Sequence, residues 1–194
     1  MSATNRGSKR IESDYYATPP GAIQSLLCNY EIADTKGAAI LEPSAGNGII
    51  IEELRKAGYS NYIHAIEIRE EEKENLKRLA DTVQIGNFFD ADPAITYDVI
   101  IGNPPYSQAQ EFIDKAFSLL NPGGRLIFLL RTNFLESQKR FEWWQDKPPT
   151  RLYVLSKRPS FTGKGTDATS YSWFIWEKSL HTGDLINRHE IKII

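Results

Sequence analysis

The apolar residues 99–101 are followed by Gly102 and then by an asparagine, two prolines and a tyrosine: Asn103, Pro104, Pro105 and Tyr106. Proline fixes its own φ and holds the residue before it in an extended conformation, so this segment is rigid before any ligand binds. We expect the Asn103 side-chain oxygen and the Pro104 carbonyl oxygen to bind both hydrogens of one NH₂ group, and Tyr106 to offer a flat surface to a planar substrate. The alternative is a rigid surface turn that happens to contain a tyrosine.

The proposed pair of acceptors suits one kind of reaction. An amine attached to an aromatic ring or a carbonyl group is a poor nucleophile, because its lone pair is delocalised. When its nitrogen attacks the methyl group of a sulfonium it becomes positive, and two fixed acceptors stabilise a charge that exists mainly in the transition state. The sequence therefore predicts methyl transfer to a planar amine.

A second candidate site is "EPSAGNG", residues 42–48, between a predicted strand and a predicted helix. Gly46 and Gly48 let the backbone approach a ligand, and the segment lacks the lysine of a phosphate loop. Glu42 would repel phosphate but accept a hydrogen bond from an amine or hydroxyl. Glu67 ends the next predicted strand roughly 20 residues beyond the turn, where nucleotide-binding folds place an acid on ribose. Together the two acids describe a ligand with a ribose, a positive end and no phosphate, such as S-adenosylmethionine; taken separately, they indicate an ordinary strand–helix turn and the start of an acidic helix.

The first two-thirds of the sequence alternates predicted strands and helices, which is typical of an open α/β sheet with helices on both faces. The last third predicts two strands, "RLYVL" and "YSWFIWEK", that form an antiparallel hairpin around residues 157–170. Ligands of such sheets bind beyond the carboxyl ends of the strands, where "EPSAGNG", "EIRE", "GNFFD" and "NPPY" all fall. The predicted strands are 38–41, 62–68, 83–85, 97–101, 125–130, 151–155 and 171–178; the longer predicted helices are 49–57, 70–80 and 108–120.

The composition of the chain excludes some classes of protein and of site. The 194 residues carry a net charge of −2 and hold one cysteine and three histidines, which predicts neither a disulfide framework nor a metal site. Without a long apolar run or a secretory signal, we expect a cytoplasmic protein with no membrane partner. Residues 1–12 are predicted to be a flexible arm and residues 13–194 one catalytic domain. Residues 121–165 carry nine Lys and Arg against three acidic residues, either to meet a phosphate backbone or as a solvated face.

The motifs together resemble the adenine-N6 DNA methyltransferases that use S-adenosyl-L-methionine, especially compact ones from phages and prophages. The resemblance implies a Rossmann-like class I methyltransferase fold, with a mostly parallel seven-stranded sheet and an antiparallel C-terminal hairpin. It places the cofactor against "DYYATPP", the glycine loop, the end of the second strand and "GNFF", where Asn87 replaces the usual aspartate. The implied cofactor contacts are Tyr15, Thr18, Glu42, Pro43, Ala45, Gly46, Asn47, Gly48, Glu67, Ile68, Asn87 and Phe88.

The resemblance makes Asn103, Pro104, Pro105 and Tyr106 the catalytic motif. "RPSFTGKG" is similar to a late motif that contacts the target base through Phe161, with Arg158 beside it. The "NPPY" motif also occurs in glutamine-N5 protein methyltransferases and some ribosomal RNA methyltransferases, whereas the Glu-Pro opening, "TPP" and Phe161 favour adenine in DNA. A non-catalytic cofactor-binding or DNA-binding homologue is a further alternative.

No separate recognition domain is expected, because little chain follows "YSWFIWEK". Recognition is then relaxed, or lies in loops such as residues 157–170, or comes from a specificity partner or a homodimer. A target base in duplex DNA must be extruded before it can stack on Tyr106 and Phe161. We expect His64, Trp143 and Trp144 to be packing residues.

Overall fold

The computed structural model describes residues 17–33, 37–161 and 168–194. The predicted arm, residues 1–12, and Tyr15 lie outside the described residues. Among those described, no helix has the length and apolarity needed to cross a membrane. The strands are β1 (Ile40–Glu42), β2 (Ile63–Glu67), β3 (Thr82–Ile85), β4 (Tyr97–Gly102), β5 (Leu120–Arg131), β6 (Arg151–Val154), β7 (Tyr171–Glu177) and β8 (Glu190–Ile193); the α-helices are α1 (Pro20–Leu27), α2 (Ile49–Lys56), α3 (Lys73–Leu76), α4 (Ala109–Ser118) and α5 (Phe141–Asp146).

The strands form one sheet in the order β3-β2-β1-β4-β5-β7-β6-β8. The first five strands of that order pair in parallel, and β7 lies antiparallel between β5 and β6. This confirms the predicted Rossmann-like α/β fold with an antiparallel C-terminal pair. The sheet has an eighth strand, because β8 pairs in parallel with β6. That strand is short and lies at the edge of the sheet, so neither its length nor its apolar content distinguishes it in the sequence.

Helices cover both faces of the sheet, which explains the unbroken apolar character of its central strands. Successive residues of β5 alternate between two cores: Ile127 belongs to the core beneath α1 and α2, whereas Phe128 belongs to the core beneath α4. The α1 residues Ile23 and Leu26 are fully buried in the first core. Trp143 and Trp144 of α5 pack against the second core, as predicted.

Two predicted helices are shorter in the structure. The helix predicted at 70–80 is a 3₁₀ turn, Glu70–Glu72, followed by the single-turn α3, in which Leu76 is the one buried residue. A charged helix that buries so little apolar surface gains little from tertiary packing. The helix predicted at 108–120 ends at Ser118, because Leu120 already pairs with Tyr97 and Asn121 donates to Asp98 at 2.9 Å.

Candidate active site

The carboxyl ends of four neighbouring parallel strands meet at one edge of the sheet. Glu67 ends β2, Glu42 ends β1 and Asn103 follows β4, while Asn87 lies just beyond β3. The strand order β3-β2-β1-β4 places these residues in the same order along the edge. The four segments that the sequence predicted to converge therefore share one edge.

Asn103 is held by a side chain from the start of the described chain. Its amide nitrogen Nδ2 donates to Oγ1 of Thr18 at 3.1 Å, and Thr18 is buried. The Asn103 carbonyl also accepts from the Ser44 hydroxyl at 3.4 Å, which connects the catalytic motif to the glycine loop. Because Nδ2 is directed at Thr18, the oxygen Oδ1 is the acceptor end of the amide, and it is buried.

The glycine loop is attached to β2 by its backbone. Ala45 N donates to Ile66 O at 2.9 Å, and Gly46 N donates to Oε2 of Glu67 at 2.6 Å. Gly48 precedes α2 with a φ of 76°. The backbone conformation favours glycine, and a Cβ atom there would lie 2.6 Å from Cδ1 of Leu79, so the end of that side chain would have to move.

Glu67 is part of the loop's own structure. Its side chain is 2% exposed, and Oε1 accepts from the backbone N and the guanidinium of Arg69 at 3.0 and 2.9 Å. With the bond from Gly46, this carboxylate accepts three hydrogen bonds from the protein. A carboxylate has about four acceptor positions, so one remains for a ligand hydroxyl. The sequence predicted Glu67 as a ligand contact but gave no sign that Arg69 would hold it.

Glu42 is the buried acid of the site. Its side chain is 2% exposed. Burial, together with the negative charge of Glu67, raises the pKa of Glu42 well above its ordinary value, and a hydrogen bond from the Ile51 backbone opposes this only in part. Within the described part of the chain, its Oε2 atom has no hydrogen-bond partner. A buried acceptor without a partner costs about 1–3 kcal/mol, which a ligand that donates there would recover.

In the segment after β3, two residues that were predicted to contact a ligand also contact other parts of the protein. The Asn87 side chain accepts from Phe89 N at 3.1 Å and caps the 3₁₀ helix Phe88–Asp90. Phe88 is buried, and its ring centroid lies 5.0 Å from that of Phe112 in α4. Ile68, in contrast, is 60% exposed directly after Glu67. Of these, Ile68 offers the most open apolar surface.

Three aromatic rings form a cluster beside the catalytic motif, which we call the aromatic cluster: Tyr106, Phe161 and Tyr171. The Tyr171 ring centroid lies 5.7 Å from that of Tyr106 and 4.9 Å from that of Phe161. Tyr171 is buried and begins β7. Sequence reasoning identified the outer two rings but missed Tyr171, although it begins the strand that follows the Phe161 loop.

A cation also lies against this cluster. The guanidinium carbon of Arg131 is 5.2 Å from the centroid of the Tyr106 ring. Arg131 ends β5 and pairs in register with Tyr171. Arg158 is exposed in the connection between β6 and β7 that also carries Phe161.

His64 and the tryptophans of α5 have structural roles. His64 is buried in β2, its Nδ1 lies 2.6 Å from the Tyr97 hydroxyl, and burial lowers its pKa. The Trp144 ring stacks against Phe174 with centroids 6.1 Å apart. In residues 17–33, 37–161 and 168–194, no three His, Cys, Asp or Glu side chains form a group suited to a metal ion.

The sheet order and a glycine loop between β1 and α2 define the class I S-adenosylmethionine-dependent methyltransferase domain. The chain belongs to the family described as "Methyltransferase domain", which it matches over residues 21–159, and its cofactor is S-adenosyl-L-methionine. The site fits this cofactor: Glu42 offers a buried acceptor to a cationic group, and Glu67 retains room for a hydroxyl.

Two curated relatives are similar over about two-thirds of this chain. The type II methyltransferase M.HincII of Haemophilus influenzae is 28% identical over 159 residues, which cover 68% of this chain and 30% of the relative. The type II methyltransferase M.TthHB8I of Thermus thermophilus is 26% identical over 166 residues, which cover 69% and 37%. The chain thus spans about a third of the length of these relatives.

Solved structures share the fold at low sequence identity. PH1948 from Pyrococcus horikoshii superposes with a TM-score of 0.68 at 19% identity and covers 91% of this chain and 94% of that one. The M protein of the type I restriction enzyme EcoKI superposes with a TM-score of 0.65 at 14% identity, covering 88% and 45%. At these identities the likeness concerns the fold alone.

Proposed function

We propose that this methyltransferase transfers the methyl group of S-adenosyl-L-methionine to the exocyclic N6 amine of adenine in DNA. The observation that carries the proposal is the orientation of Asn103: Thr18 accepts from its amide nitrogen at 3.1 Å, so Oδ1 is the acceptor end of the amide, the end that a substrate amine requires. An asparagine with the opposite orientation would present a donor and could not bind an NH₂ group.

The cofactor supplies a methyl group activated by a positively charged sulfur. Glu42 would accept from its amino end, Glu67 would accept from a ribose hydroxyl, and Ile68 would cover its adenine ring. Gly46 and Gly48 let the loop pass close to it, with Pro43, Ala45 and Asn47 lining the same turn. Asn87 and Phe88 would line the same site, and both also contact the protein itself.

The Asn103 side chain and the Pro104 carbonyl hold the two hydrogens of the target amine. Their lone pairs stabilise the positive charge that grows on the nitrogen as it attacks, so their effect is larger in the transition state than in the bound substrate. Pro104 and Pro105 keep this geometry fixed. As the N–C bond forms, the bond between the methyl group and the cofactor's sulfur would break and leave a neutral thioether. No separate base is required before this transfer, because the amine nitrogen itself is the nucleophile, and the extra proton on the methylated nitrogen would then pass to solvent.

The aromatic cluster suits a flat base. Extruding a base from a duplex costs a few kcal/mol, and stacking on Tyr106 and Phe161 returns roughly 1–3 kcal/mol per base. DNA is favoured over RNA and protein because the curated relatives are type II methyltransferases. Sequence recognition then comes from residues 157–170, a specificity partner or a second copy.

The test is methyl transfer from labelled cofactor to mixed-sequence DNA, RNA and protein in separate reactions, followed by nucleoside chromatography. We expect N6-methyladenine from DNA. Label in RNA or in glutamine would instead support the alternative substrates that "NPPY" allows, and cofactor binding without transfer to any of the three would indicate a non-catalytic homologue.

Variants of the catalytic motif test the assigned roles. Asn103→Ala should abolish transfer and leave cofactor affinity, measured by calorimetry, within about twofold of wild type, because the side chain contacts the amine. Full activity in this variant would contradict the role of Oδ1. Tyr106→Phe should retain most DNA affinity while Tyr106→Ala loses about tenfold, as expected for a stacking ring.

A further inference from the structure

Arg131 lies at the centre of the proposed substrate site. It is the last residue of β5, three positions beyond Phe128, which pairs with Gly102 directly before Asn103. Its side chain is exposed, and its guanidinium lies over the Tyr106 ring with Cζ 5.2 Å from the centroid. This cation is therefore next to the ring on which the target base is proposed to stack.

Several other cations of residues 121–165 bind groups of the protein itself. Arg140 donates to the carbonyls of Phe134 and Glu136, and Arg151 bonds the carboxylates of Glu177 and Glu190. Lys147 bonds Asp114, and Arg125 donates to the Glu31 carbonyl. Four of the nine Lys and Arg side chains in residues 121–165 therefore have a structural role, and a general electrostatic patch is a poor description of this region.

We propose that Arg131 binds a backbone phosphate beside the target nucleotide and thereby selects a nucleic acid as the substrate. The inference rests on the proposed function, since it places the base on Tyr106. Arginine suits this position because its guanidinium can lie flat on an aromatic ring while its N–H groups, which lie in the plane, point toward the two oxygens of a phosphate. A base on the Tyr106 side of the aromatic cluster brings its own phosphates within one side-chain length of Arg131.

This role separates nucleic acids from the alternative glutamine substrate. A glutamine side chain presents the same planar NH₂ group to Asn103 but carries no phosphate. Arg131 should therefore matter for polynucleotide binding and not for holding the amine or the cofactor. The register pairing with Tyr171 fixes the backbone of Arg131, so a substitution changes the head group without displacing the strand.

The experiment compares Arg131→Gln, Arg131→Lys and the control Arg188→Gln. Arg188 precedes β8, which runs in the same direction as β5, so it lies at the opposite edge of the sheet, and its side chain is 62% exposed. Binding of fluorescently labelled, adenine-containing single-stranded and duplex oligonucleotides is measured at several salt concentrations. Cofactor affinity and the urea midpoint are measured on the same preparations.

We expect Arg131→Gln to weaken oligonucleotide binding about tenfold and to reduce the slope of log K against log[salt] by about 0.7 for single strands and 0.9 for duplexes. Arg131→Lys should keep the slope but recover only part of the affinity, because lysine lacks the planar fork. In both variants the KM for DNA rises, while the KM for the cofactor and the urea midpoint stay at the wild-type values. Arg188→Gln should match wild type.

An Arg131→Gln protein with wild-type salt slope and affinity would overturn this proposal alone, as would a loss of DNA binding matched by equal losses of cofactor affinity and stability. If the wild-type protein binds no oligonucleotide and methylates none, both proposals fail together.

Discussion

Replacing Glu42 by glutamine is expected to remove a pH-dependent cost from the free protein. An unfolded glutamate ionises near pH 4.3, whereas burial and the charge of Glu67 raise the pKa of Glu42 in the folded protein. Between those two pH values the folded state holds a proton that the unfolded chain has lost. The stabilisation from this raised pKa is complete below about pH 4.3 and is lost as pH rises through the folded pKa.

The magnitude of this pH dependence follows from the single proton that the Glu42 carboxyl group releases. Over that window the free energy of unfolding of the wild-type protein should fall by up to about 1.4 kcal/mol per pH unit because of Glu42. Glutamine has nearly the same shape but no proton to lose, so the variant should gain stability relative to wild type as pH rises, until pH exceeds the folded pKa of Glu42. The new NH₂ group replaces Oε2, which also has no partner in the described chain, so the cost of an unpartnered polar group is present in both proteins and does not change with pH.

The assay is urea unfolding of wild type and Glu42→Gln at pH 5, 6, 7 and 8. Glu53→Gln is the matched control, because Glu53 is also nearly buried, at 5% exposed, but its carboxylate binds the side chains of Lys56 and Gln24. Hydrogen bonds from Lys56 and then from Gln24 lower the pKa of Glu53. Its stabilisation is present above about pH 4.3 and is lost only as pH falls below that value, so Glu53→Gln should cost a constant amount from pH 5 to 8.

The refuting result is a stability difference between wild type and Glu42→Gln that does not change with pH over this range. Calorimetry adds a second readout, since a cationic cofactor beside Glu42 favours the ionised carboxylate. Wild-type binding should then release a proton, detected as a dependence of the apparent enthalpy on the buffer, and Glu42→Gln binding should release none from this group.

Two further predictions concern the elements around the site. Thr18→Val removes the hydroxyl that accepts from Asn103 at 3.1 Å. The rate of methyl transfer should fall about tenfold, and the free energy of unfolding should fall by about 1 kcal/mol. A wild-type rate would show that Thr18 does not orient the amide. Gly48→Ala and Gly58→Ala both place alanine at a positive φ, 76° and 90°, but only the first Cβ meets Leu79, at 2.6 Å. In urea unfolding Gly48→Ala should therefore cost about 1–3 kcal/mol more than Gly58→Ala, and equal costs would contradict the packing argument.

The parallel part of the sheet could be predicted from the sequence because each strand and its carboxyl end are marked by a short, continuous pattern of residues. Each strand end carries its own signal, as with Glu42, Glu67 and Asn103, and the general rule for ligands of open α/β sheets brings these ends together. What was missed depends on register across the sheet. Tyr171 and Arg131 meet only because β7 pairs antiparallel with β5 at these two residues, and no local pattern specifies that pairing.

Two residues with a predicted ligand contact also have roles within the protein that the sequence did not indicate. Asn87 matches the position of a ligand contact in the sequence, yet its side chain caps the turn that follows, a role asparagine often takes. Phe88 likewise packs against Phe112, a residue 24 positions later, and such contacts are set by the packing of α4 on the sheet. The strand β8 was missed because it exists only through pairing with β6.

The three hydrogen bonds that Glu67 accepts from Gly46 and Arg69 have a consequence for mutagenesis. Removing this carboxylate frees the turn before α2 as well as deleting a ribose contact, so Glu67→Ala confounds scaffold with ligand. A comparison of the single variants Glu67→Gln and Arg69→Ala separates the two roles. The amide of Glu67→Gln keeps an oxygen for Gly46, whereas Arg69→Ala deletes the guanidinium and keeps the carboxylate. Relative to the cofactor itself, an analogue without ribose hydroxyls should bind more weakly to wild type and to Arg69→Ala, which keep the carboxylate, and only slightly more weakly to Glu67→Gln.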